Sequence, residues 1–369
     1  MSFMKRNKLK ISVQDMESFL KDRDILEITG SGDPHEEYGK VRLFIENIKS
    51  CNSDVVLFDG DYLAEPAYAK EELDLAEVSR SSIEKLKQLY EVLQNAPAPT
   101  HFVAGNYELP GTSCDAIADL SSDILFDLGC DKTKESKVDR IYDKPVYMGL
   151  RTERETWPGK VHNLKGFTCI GVEGSNPINQ TFPGERTEQN LEWALREPMS
   201  DLKVDPENLM IVTHSPPFGI RDNLGRFGVP PNLWGASKGS TALRKISDEM
   251  RPFMIMVGHI HESFGVHVRA IPKDSTDSSQ EEVLDMDFAR RTKLVVGYDT
   301  KKTTLSITLN KGTLEYWNWS RVRIAQEGSQ RVIDIEGEWL ERKGTPKPFK
   351  KINKILDYDG VLESTVASS

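Results

Sequence analysis

A series of short apolar runs limits the fold of this chain more than any other feature of its sequence. Each run has four to six residues, is rich in Val, Ile, Leu and Phe, and is apolar at successive positions. The runs are residues 24–29, 54–58, 101–104, 167–172, 209–213 and 253–257. This pattern is typical of strands that are buried on both faces of a sheet, so we predict six such strands.

Stretches with helical periodicity lie between several of these runs. Residues 41–51 follow the first run, and residues 71–94 carry Leu, Ala and Ile at helical spacing with alternating charge. A third helix is expected over residues 187–195, with Thr187 as its cap. The alternation of strands and helices predicts an α/β fold.

The chain changes character after residue 261. Residues 270–290 are polar and are interpreted as a loop or insertion. Four runs rich in Val, Thr and aromatic residues follow, and they predict antiparallel strands without further helices. We expect one folded domain over residues 1–340. Residues 341–369, which include a basic run, are expected to form a loose, solvated tail.

Charge and cysteine usage exclude several functional classes. The net charge of −10 argues against binding to bulk nucleic acid or to anionic membranes, because both need excess Lys and Arg. No run approaches the roughly 18 apolar residues that a membrane span needs. The four cysteines contain no C-x-x-C pair, and no apolar signal segment follows the basic N-terminus. We therefore expect a reduced, cytoplasmic protein, whose oligomeric state the sequence leaves open.

Polar residues stand directly after five of the six predicted strands. In open α/β sheets ligands bind at the carboxyl ends of the strands, so these residues are expected to meet at one edge. Four of the chain's seven histidines are among them. The candidate metal ligands are Asp33, His35, Asp61, Asn106, His214, His259 and His261.

The types of these seven residues indicate two divalent metal ions. Residues i and i+2 of an extended segment point the same way, so the pairs Asp33/His35 and His259/His261 can each present two donors. Aspartate, asparagine and histidine without cysteine suit manganese first, then iron, zinc, nickel or cobalt, better than an all-oxygen calcium site. Seven ligands are too many for one ion. They suit two ions about 3.5–4 Å apart that share a carboxylate, with a hydroxide between them.

Each motif also has a structural interpretation when it is taken alone. Asp33 could cap a helix, Gly60 and Asp61 could form an ordinary turn, and His214 could be a buried histidine with satisfied hydrogen bonds. The order of the motifs, each after an apolar run, favours the metal site.

Taken in order, the motifs D-x-H, G-D, G-N-Y-E, H and G-H-x-H resemble the set that marks the calcineurin-like metallophosphoesterase superfamily. The resemblance covers roughly residues 24–270. It is especially similar to a group of predicted cytoplasmic phosphoesterases with T-H-x-P-P-x-G and G-H-I-H-E motifs, which stand here at residues 213–219 and 258–262. The resemblance implies a four-layer α/β/β/α metallophosphoesterase sandwich and the hydrolysis of a small phosphate-ester substrate.

The resemblance also implies how the ligands divide between the ions. The first ion would be held by Asp33, His35 and His261 and the second by Asn106, His214 and His259, with Asp61 bridging the two. A hydroxide that bridges the metals would attack phosphorus in line. Asp61, Asn106 and Tyr107 would then form the catalytic set.

Tyr107 is a departure from the superfamily pattern, which has a histidine at this position of the third motif. A phenol with an ordinary pKa near 10 donates a hydrogen bond but is a poor proton shuttle at neutral pH. We therefore predict a preference for phosphodiesters or good leaving groups. The alternative for Tyr107 is a packing role at the cavity wall.

Other functions remain open at this stage. One alternative is a phosphomonoesterase, and another is a non-catalytic scaffold for protein–protein interaction, as in the retromer subunit of the superfamily. A dinucleotide-binding fingerprint is excluded because His35 stands where the third glycine would be. The natural substrate has no signature, although Tyr62, Phe227 and Trp234 are candidates for stacking on a nucleobase.

Overall fold

The computed structural model describes most of the chain. The described residues are 19, 25–64, 75–108, 125–127, 160–177, 182, 184–200, 205–224, 231–273, 281–287, 291–311, 316–341, 352–357 and 361–365. Within these residues, no helix has the length and apolar character needed to cross a membrane.

The described elements alternate between strands and helices at first and are mainly strands later. The strands are β1 (Ile25–Ser31), β2 (Val55–Phe58), β3 (Thr100–Phe102), β4 (Leu125–Asp127), β5 (Lys160–Leu164), β6 (Phe167–Val172), β7 (Leu209–Thr213), β8 (Met254–Val257), β9 (Gly265–Pro272), β10 (Glu282–Asp287), β11 (Arg291–Asp299), β12 (Thr303–Asn310), β13 (Tyr316–Glu327), β14 (Gln330–Glu341), β15 (Ile352–Asp357) and β16 (Val361–Thr365). The helices are α1 (Tyr38–Ile48), α2 (Leu75–Leu93), α3 (Glu188–Ser200) and α4 (Thr241–Met250), and short 3-10 turns include His261–Ser263.

Two mixed sheets contain all of these strands. The larger sheet has the order β16-β15-β11-β14-β13-β1-β2-β3-β4, and the smaller sheet has the order β10-β9-β12-β8-β7-β6-β5. Strands β1, β2 and β3 run parallel in the larger sheet. Strands β6, β7 and β8 run parallel in the smaller sheet. Each sheet therefore has a set of carboxyl ends that lie at one edge.

The strands are apolar at successive positions because both of their faces are covered. In β2, Val55 and Leu57 face the core between the two sheets, whereas Val56 and Phe58 face the layer formed by α1 and α2. The core between the sheets also contains Leu26, Ile28, Met210, Val212, Met254 and Met256. Helices α3 and α4 cover the other face of the smaller sheet, where Leu191, Leu195, Leu243 and Ile246 contact Ile211 and Ile255. The layers are thus α/β/β/α, and the predicted fold class is confirmed.

Several boundaries follow the sequence-based prediction closely. Strands β6 and β7 coincide with the predicted runs. Thr187 caps α3 as expected, because its Oγ1 accepts a hydrogen bond from the backbone N–H of Asn190 at 3.1 Å. The helix then continues to Ser200, beyond the predicted end.

Other expectations were wrong for the residues that the structure describes. β9 and β10 lie within or overlap the supposed loop over residues 270–290, and pair with each other in antiparallel register. In the supposed loose tail, β15 pairs with β11 in parallel register and with β16 in antiparallel register. β12 is not part of an antiparallel set with β11, β13 and β14. It joins the smaller sheet, parallel to β8.

Candidate metal centre

The edge where the two sets of parallel strands end carries every predicted metal ligand. Asp33 and His35 follow β1, Asp61 follows β2, and Asn106 follows β3. His214 follows β7, and both His259 and His261 follow β8. The structure brings these seven side chains together.

One group of donors forms around Asp61 and the end of β1. The ligand atoms of His35, Asp61 and His261 all lie within 4.8 Å of one another. His261 Nε2 is 3.5 Å from His35 Nε2 and 3.4 Å from Asp33 Oδ2. Asp33 therefore belongs to the same cluster as these three residues.

A second group of donors shares Asp61 with the first. The ligand atoms of Asp61, His214 and His259 lie within 4.8 Å of one another. His214 Nε2 is 2.8 Å from Asn106 Oδ1 and 3.2 Å from Asp61 Oδ1. Asp61 is thus the residue that connects the two groups.

Backbone carbonyls orient two of the imidazole rings. His35 Nδ1 donates to Leu63 O at 3.1 Å, and His214 Nδ1 donates to Asp59 O at 2.7 Å. Because a carbonyl can only accept, the proton of each bond is on Nδ1. The Nε2 atoms of both rings are therefore directed into the cluster, as in histidines that bind metals.

The donor set fits divalent cations. His261 Nε2 lies within 3.5 Å of both His35 Nε2 and Asp33 Oδ2, and atoms of these types bind divalent cations. Asp33 Oδ1 and His259 Nε2 are buried without a hydrogen-bond partner in the described part of the chain. Such atoms are costly unless something binds them. Imidazole, carboxylate and amide ligands without thiolate suit manganese and its neighbours.

The loops that carry these ligands have unusual backbone conformations. Asp33, His35, Asp61 and His259 have φ values of 50°, 46°, 51° and 67°, in the left-handed region that non-glycine residues rarely adopt. The His35 N–H donates to Asp61 O at 3.0 Å, which holds the β1 and β2 loops together. Strain of this kind persists where surrounding contacts enforce it, as they do at functional sites.

Gly105 allows the β2 and β3 loops to approach each other. A Cβ at this position would lie 2.2 Å from Asp61 Oδ1 and 2.3 Å from Asp61 N. No side chain fits there. The glycine in the third motif is therefore required by the packing of Asp61.

The electrostatics of the second group favour an ionised Asp61. Burial tends to raise the pKa of Asp61, but the charge and hydrogen bond of His214 outweigh it, and the pKa falls below its usual range. Burial tends to lower the pKa of His214, but Asp61 and then Asp33 raise it to about 10. A cation bound here would have to replace the proton on His214 Nε2.

The pKa values of three other candidate ligands are shifted in the opposite direction from those of His214 and Asp61. Burial, with the charge on His214, lowers the pKa of His259 to about 3. Burial and the nearby His35 lower the pKa of His261 well below its usual value. Both rings are therefore neutral at physiological pH, which is the form that binds metals. Burial and nearby carboxylates raise the pKa of Asp33 well above its usual value.

Tyr107 lies against the first group of donors. Its ring is 5.2 Å from the His35 ring in an edge-to-face arrangement and 5.1 Å from the Phe182 ring. Its backbone N–H donates to Asp61 Oδ1 at 3.2 Å. Burial, and then the charge of Asp61, raise the pKa of Tyr107 to about 12, so the phenol keeps its proton.

Glu108 organises the loops of the larger sheet, a role that the ligand motifs alone did not reveal. Its carboxylate accepts hydrogen bonds from the backbone N–H groups of Tyr62, Leu63 and Gly105, at 2.8, 3.0 and 2.6 Å. Burial, and then the charge of Asp61, raise the pKa of Glu108 to about 7. The acidic residue of the G-N-Y-E motif is the sequence signal that could have identified this contact.

A fully buried ion pair lies beneath the ligands and was not foreseen. Lys311, directly after β12, places Nζ 3.3 Å from Asp59 Oδ2 and 3.4 Å from Leu57 O. Both side chains of the pair are completely buried. Asp59 Oδ1 and Asp33 Oδ1 each lie within about 3 Å of the position that a Cβ on Gly258 would occupy. The pair therefore connects the smaller sheet to the larger one directly under the ligands.

The three residues suggested for stacking on a nucleobase lie in different surroundings. Tyr62 is buried among the side chains of α1, α2 and the larger sheet, so that suggestion was wrong. Trp234 is 44% exposed. Phe227 lies outside the described residues.

Comparison with known proteins decides the family. The family model of calcineurin-like phosphoesterases matches residues 26–263, which carry all seven donors. The chain belongs to this family. The family implies metal-dependent hydrolysis of phosphoesters, and the clustered donors of this calcineurin-like phosphoesterase agree with that chemistry.

Individual relatives are more distant. The uncharacterized protein MJ1162 of Methanocaldococcus jannaschii is 27% identical over 106 residues, or 28% of this chain. The match spans less than half, 44%, of that relative. A solved crystal structure has a TM-score of 0.53 at 15% identity, covering 81% of this chain and 95% of its own, and shows the shared fold. The crystal structure of TT1561 of Thermus thermophilus gives a TM-score of 0.40 at 14% identity, covering 64% of this chain and 82% of its own.

Proposed function

We propose that this phosphoesterase hydrolyses small phosphodiesters with two divalent cations, manganese being the first candidate. The observation that carries the proposal is the position of Asp61, whose carboxylate belongs to both groups of donor atoms. A carboxylate shared by two sites is typical of paired metal ions. Asp33, His35 and His261 would complete one site, and Asn106, His214 and His259 the other.

The protein's own residues prepare this site for a phosphate ester. When bound, the cations would neutralise charge on the phosphoryl oxygens and lower the pKa of a water molecule that serves as the nucleophile. The backbone N–H groups of Asn106 and Tyr107 hold Asp61 Oδ1, at 2.9 and 3.2 Å. The carbonyls of Leu63 and Asp59 orient His35 and His214 before any ligand arrives. Such preorganisation reduces the rearrangement that binding and catalysis require.

Tyr107 supports the preference for diesters. Its phenol stays protonated at neutral pH, because its pKa is about 12. It can donate a hydrogen bond beside His35 but cannot exchange a proton readily with the leaving group. Substrates with a leaving group that departs without protonation are therefore favoured.

A direct assay tests the proposal. The purified protein is stripped of metal, loaded with Mn²⁺, and given bis(p-nitrophenyl) phosphate or p-nitrophenyl phosphate. We expect turnover that depends on Mn²⁺, with the higher kcat/KM for the diester. Turnover of the monoester alone would contradict the diester preference. A folded, Mn²⁺-loaded protein without turnover of either ester would favour the scaffold alternative.

The cytoplasm remains the proposed location. Cys51 and Cys169 are free thiols, as expected in a reducing compartment. Fractionation of cells with an antibody to the chain would test this.

A further inference from the structure

Arg221 stands out among the residues that no metal motif includes. It lies in the turn after His214, yet its side chain is only 5% exposed. Its backbone has a φ of 52°, in the left-handed region. A strained backbone and a buried guanidinium are both costly, so the surrounding contacts must hold this residue in place.

The guanidinium binds the end of the loop that carries two of the ligands. Arg221 Nε donates to Ser263 O at 2.9 Å, and Nη2 donates to Phe264 O at 3.0 Å. These two carbonyls follow His261 almost directly along the chain. Gly265 leaves room for the contact, because a Cβ there would lie 2.3 Å from Nη2.

Two carboxylates of strand β10 bind the remaining N–H groups of the guanidinium. Nη1 lies 3.1 Å from Asp285 Oδ1, and Nη2 lies 2.7 Å from Asp287 Oδ1. These carboxylates are 55% and 84% exposed, so the ion pairs themselves contribute little to stability. They nevertheless set the plane of the guanidinium.

Asn310 joins the same network from β12. Its Nδ2 donates to Arg221 O at 2.9 Å and to Ile260 O at 3.2 Å. Ile260 lies between His259 and His261. The turn after β7 and the loop after β8 are therefore tied to each other at both the side chain and the backbone of Arg221.

We propose that Arg221 is a positioning residue that holds His259 and His261 in the geometry needed for metal binding. The inference rests on the proposed metal centre but assigns a role to a residue outside it. A lysine would not replace it, because an ammonium group lacks the planar fork that reaches two carbonyls and two carboxylates at once.

The test compares two conservative variants in the full-length protein. Arg221→Lys keeps the charge but loses the fork. Arg269→Lys is the matched control, because Arg269 also forks to carboxylates, binding Glu281 at 2.5 Å and Asp248 at 2.7 Å, but does not contact the ligand loops. Mn²⁺ affinity of the metal-free proteins is measured by isothermal titration calorimetry, and thermal unfolding is followed by circular dichroism.

We expect Arg221→Lys to weaken Mn²⁺ binding by about 10- to 100-fold, as loss of a contact behind metal ligands does elsewhere. The Mn²⁺ affinity of Arg269→Lys should stay within about twofold of the wild-type affinity. This difference between the variants should hold even if their unfolding temperatures are similar. Wild-type affinity in a folded Arg221→Lys protein, or equal weakening in both variants, would overturn the inference. If Arg221→Lys does not fold, the Mn²⁺ affinity of Asn310→Ala is compared with that of Arg269→Lys instead, and the same outcomes support or overturn the inference. A wild type that binds no Mn²⁺ would overturn the proposed function itself, and this inference with it.

Discussion

The two sheets supply different side chains to the candidate metal centre and hold them in different ways. The loops of the larger sheet contribute Asp33, Asp61 and Asn106 with one histidine, whereas those of the smaller sheet contribute histidines alone. The first set is organised by Glu108, a buried acceptor of three backbone N–H groups. The second is organised around donors, the guanidinium of Arg221 and the amide of Asn310.

This difference teaches that each half of the centre has supporting contacts of its own kind. Direct contacts also join the halves. His214 Nδ1 donates to Asp59 O at 2.7 Å, and His214 Nε2 lies 3.2 Å from Asp61 Oδ1. His261 Nε2 lies 3.4 Å from Asp33 Oδ2. Substitutions at the junction should therefore have the largest effect, and substitutions among the supporting contacts of one half should have smaller effects.

Asp61→Asn removes the carboxylate that both halves share. We expect hydrolysis of bis(p-nitrophenyl) phosphate to fall by roughly 10²- to 10³-fold, which is the value of one electrostatic partner in an active site. The control is Asp334→Asn, which alters another buried carboxylate, in β14, that is paired with Lys293 and Arg323. That variant should lose stability and keep its kcat. Equal loss of activity in both variants would contradict the role of Asp61.

Glu108→Gln perturbs the half in the larger sheet alone. Its amide can replace only one carboxylate oxygen as an acceptor, so at least one of the three N–H groups loses its partner. We expect a loss of about 1–3 kcal/mol in the free energy of unfolding. Mn²⁺ affinity should fall by about 10- to 100-fold. Urea denaturation and calorimetry measure the two effects, and an unchanged Mn²⁺ affinity would show that the larger sheet does not depend on this acceptor.

Tyr107→Phe and Tyr107→His test the role of the phenol in the half of the centre that belongs to the larger sheet. Removal of the hydroxyl should lower diester turnover by about 2- to 10-fold, the value of one hydrogen bond. The histidine variant should raise the kcat/KM for p-nitrophenyl phosphate relative to the diester, because imidazole exchanges protons near neutral pH. Steady-state kinetics on both esters provide the ratio. If neither variant changes the ratio of kcat/KM for the two esters, Tyr107 has a packing role.

His101→Phe probes a place where the halves touch away from the metal ligands. His101 of β3 and His162 of β5 lie edge to face, with ring centroids 4.9 Å apart. Burial, with the charge of His162, lowers the pKa of His101 from 6.5 to about 3. The unfolded chain thus binds more protons between these pH values, and stability should fall as the pH drops through this window.

The expected slope is up to about 1.4 kcal/mol per pH unit from this one group. Urea denaturation of the wild type and of His101→Phe at pH 7 and pH 5 measures it. The variant should lose less stability than the wild type on acidification. Equal losses would mean that His101 does not contribute to the pH dependence.

The sequence predicted the layers and the clustering of the candidate ligands because both depend on local patterns. Strands covered on both faces, such as β6 and β7, have consecutive apolar residues. The ligands follow such strands directly, so their positions could be predicted before their spatial arrangement was known.

Contacts between distant segments were not predictable in the same way. Leu57 and Lys311 are separated by 254 positions, and nothing near residue 311 marks it as buried. Helix α4 has few buried apolar side chains, chiefly Ala242, Leu243 and Ile246, and no helix was predicted over these residues. The burial of Tyr62 and the pairing of β15 with β11 likewise depend on contacts with segments that are distant in the sequence.

The ion pair of Lys311 and Asp59 has a consequence for attempts to shorten the protein. The region shared with relatives ends at residue 263 and retains all seven donors, so it looks like a portable catalytic unit. Excision at that point would remove Lys311 and leave the fully buried Asp59 without its ion pair, and removal of one partner of such a pair costs about 3–5 kcal/mol. A graft of this centre onto another scaffold would therefore need β12 and the lysine that follows it.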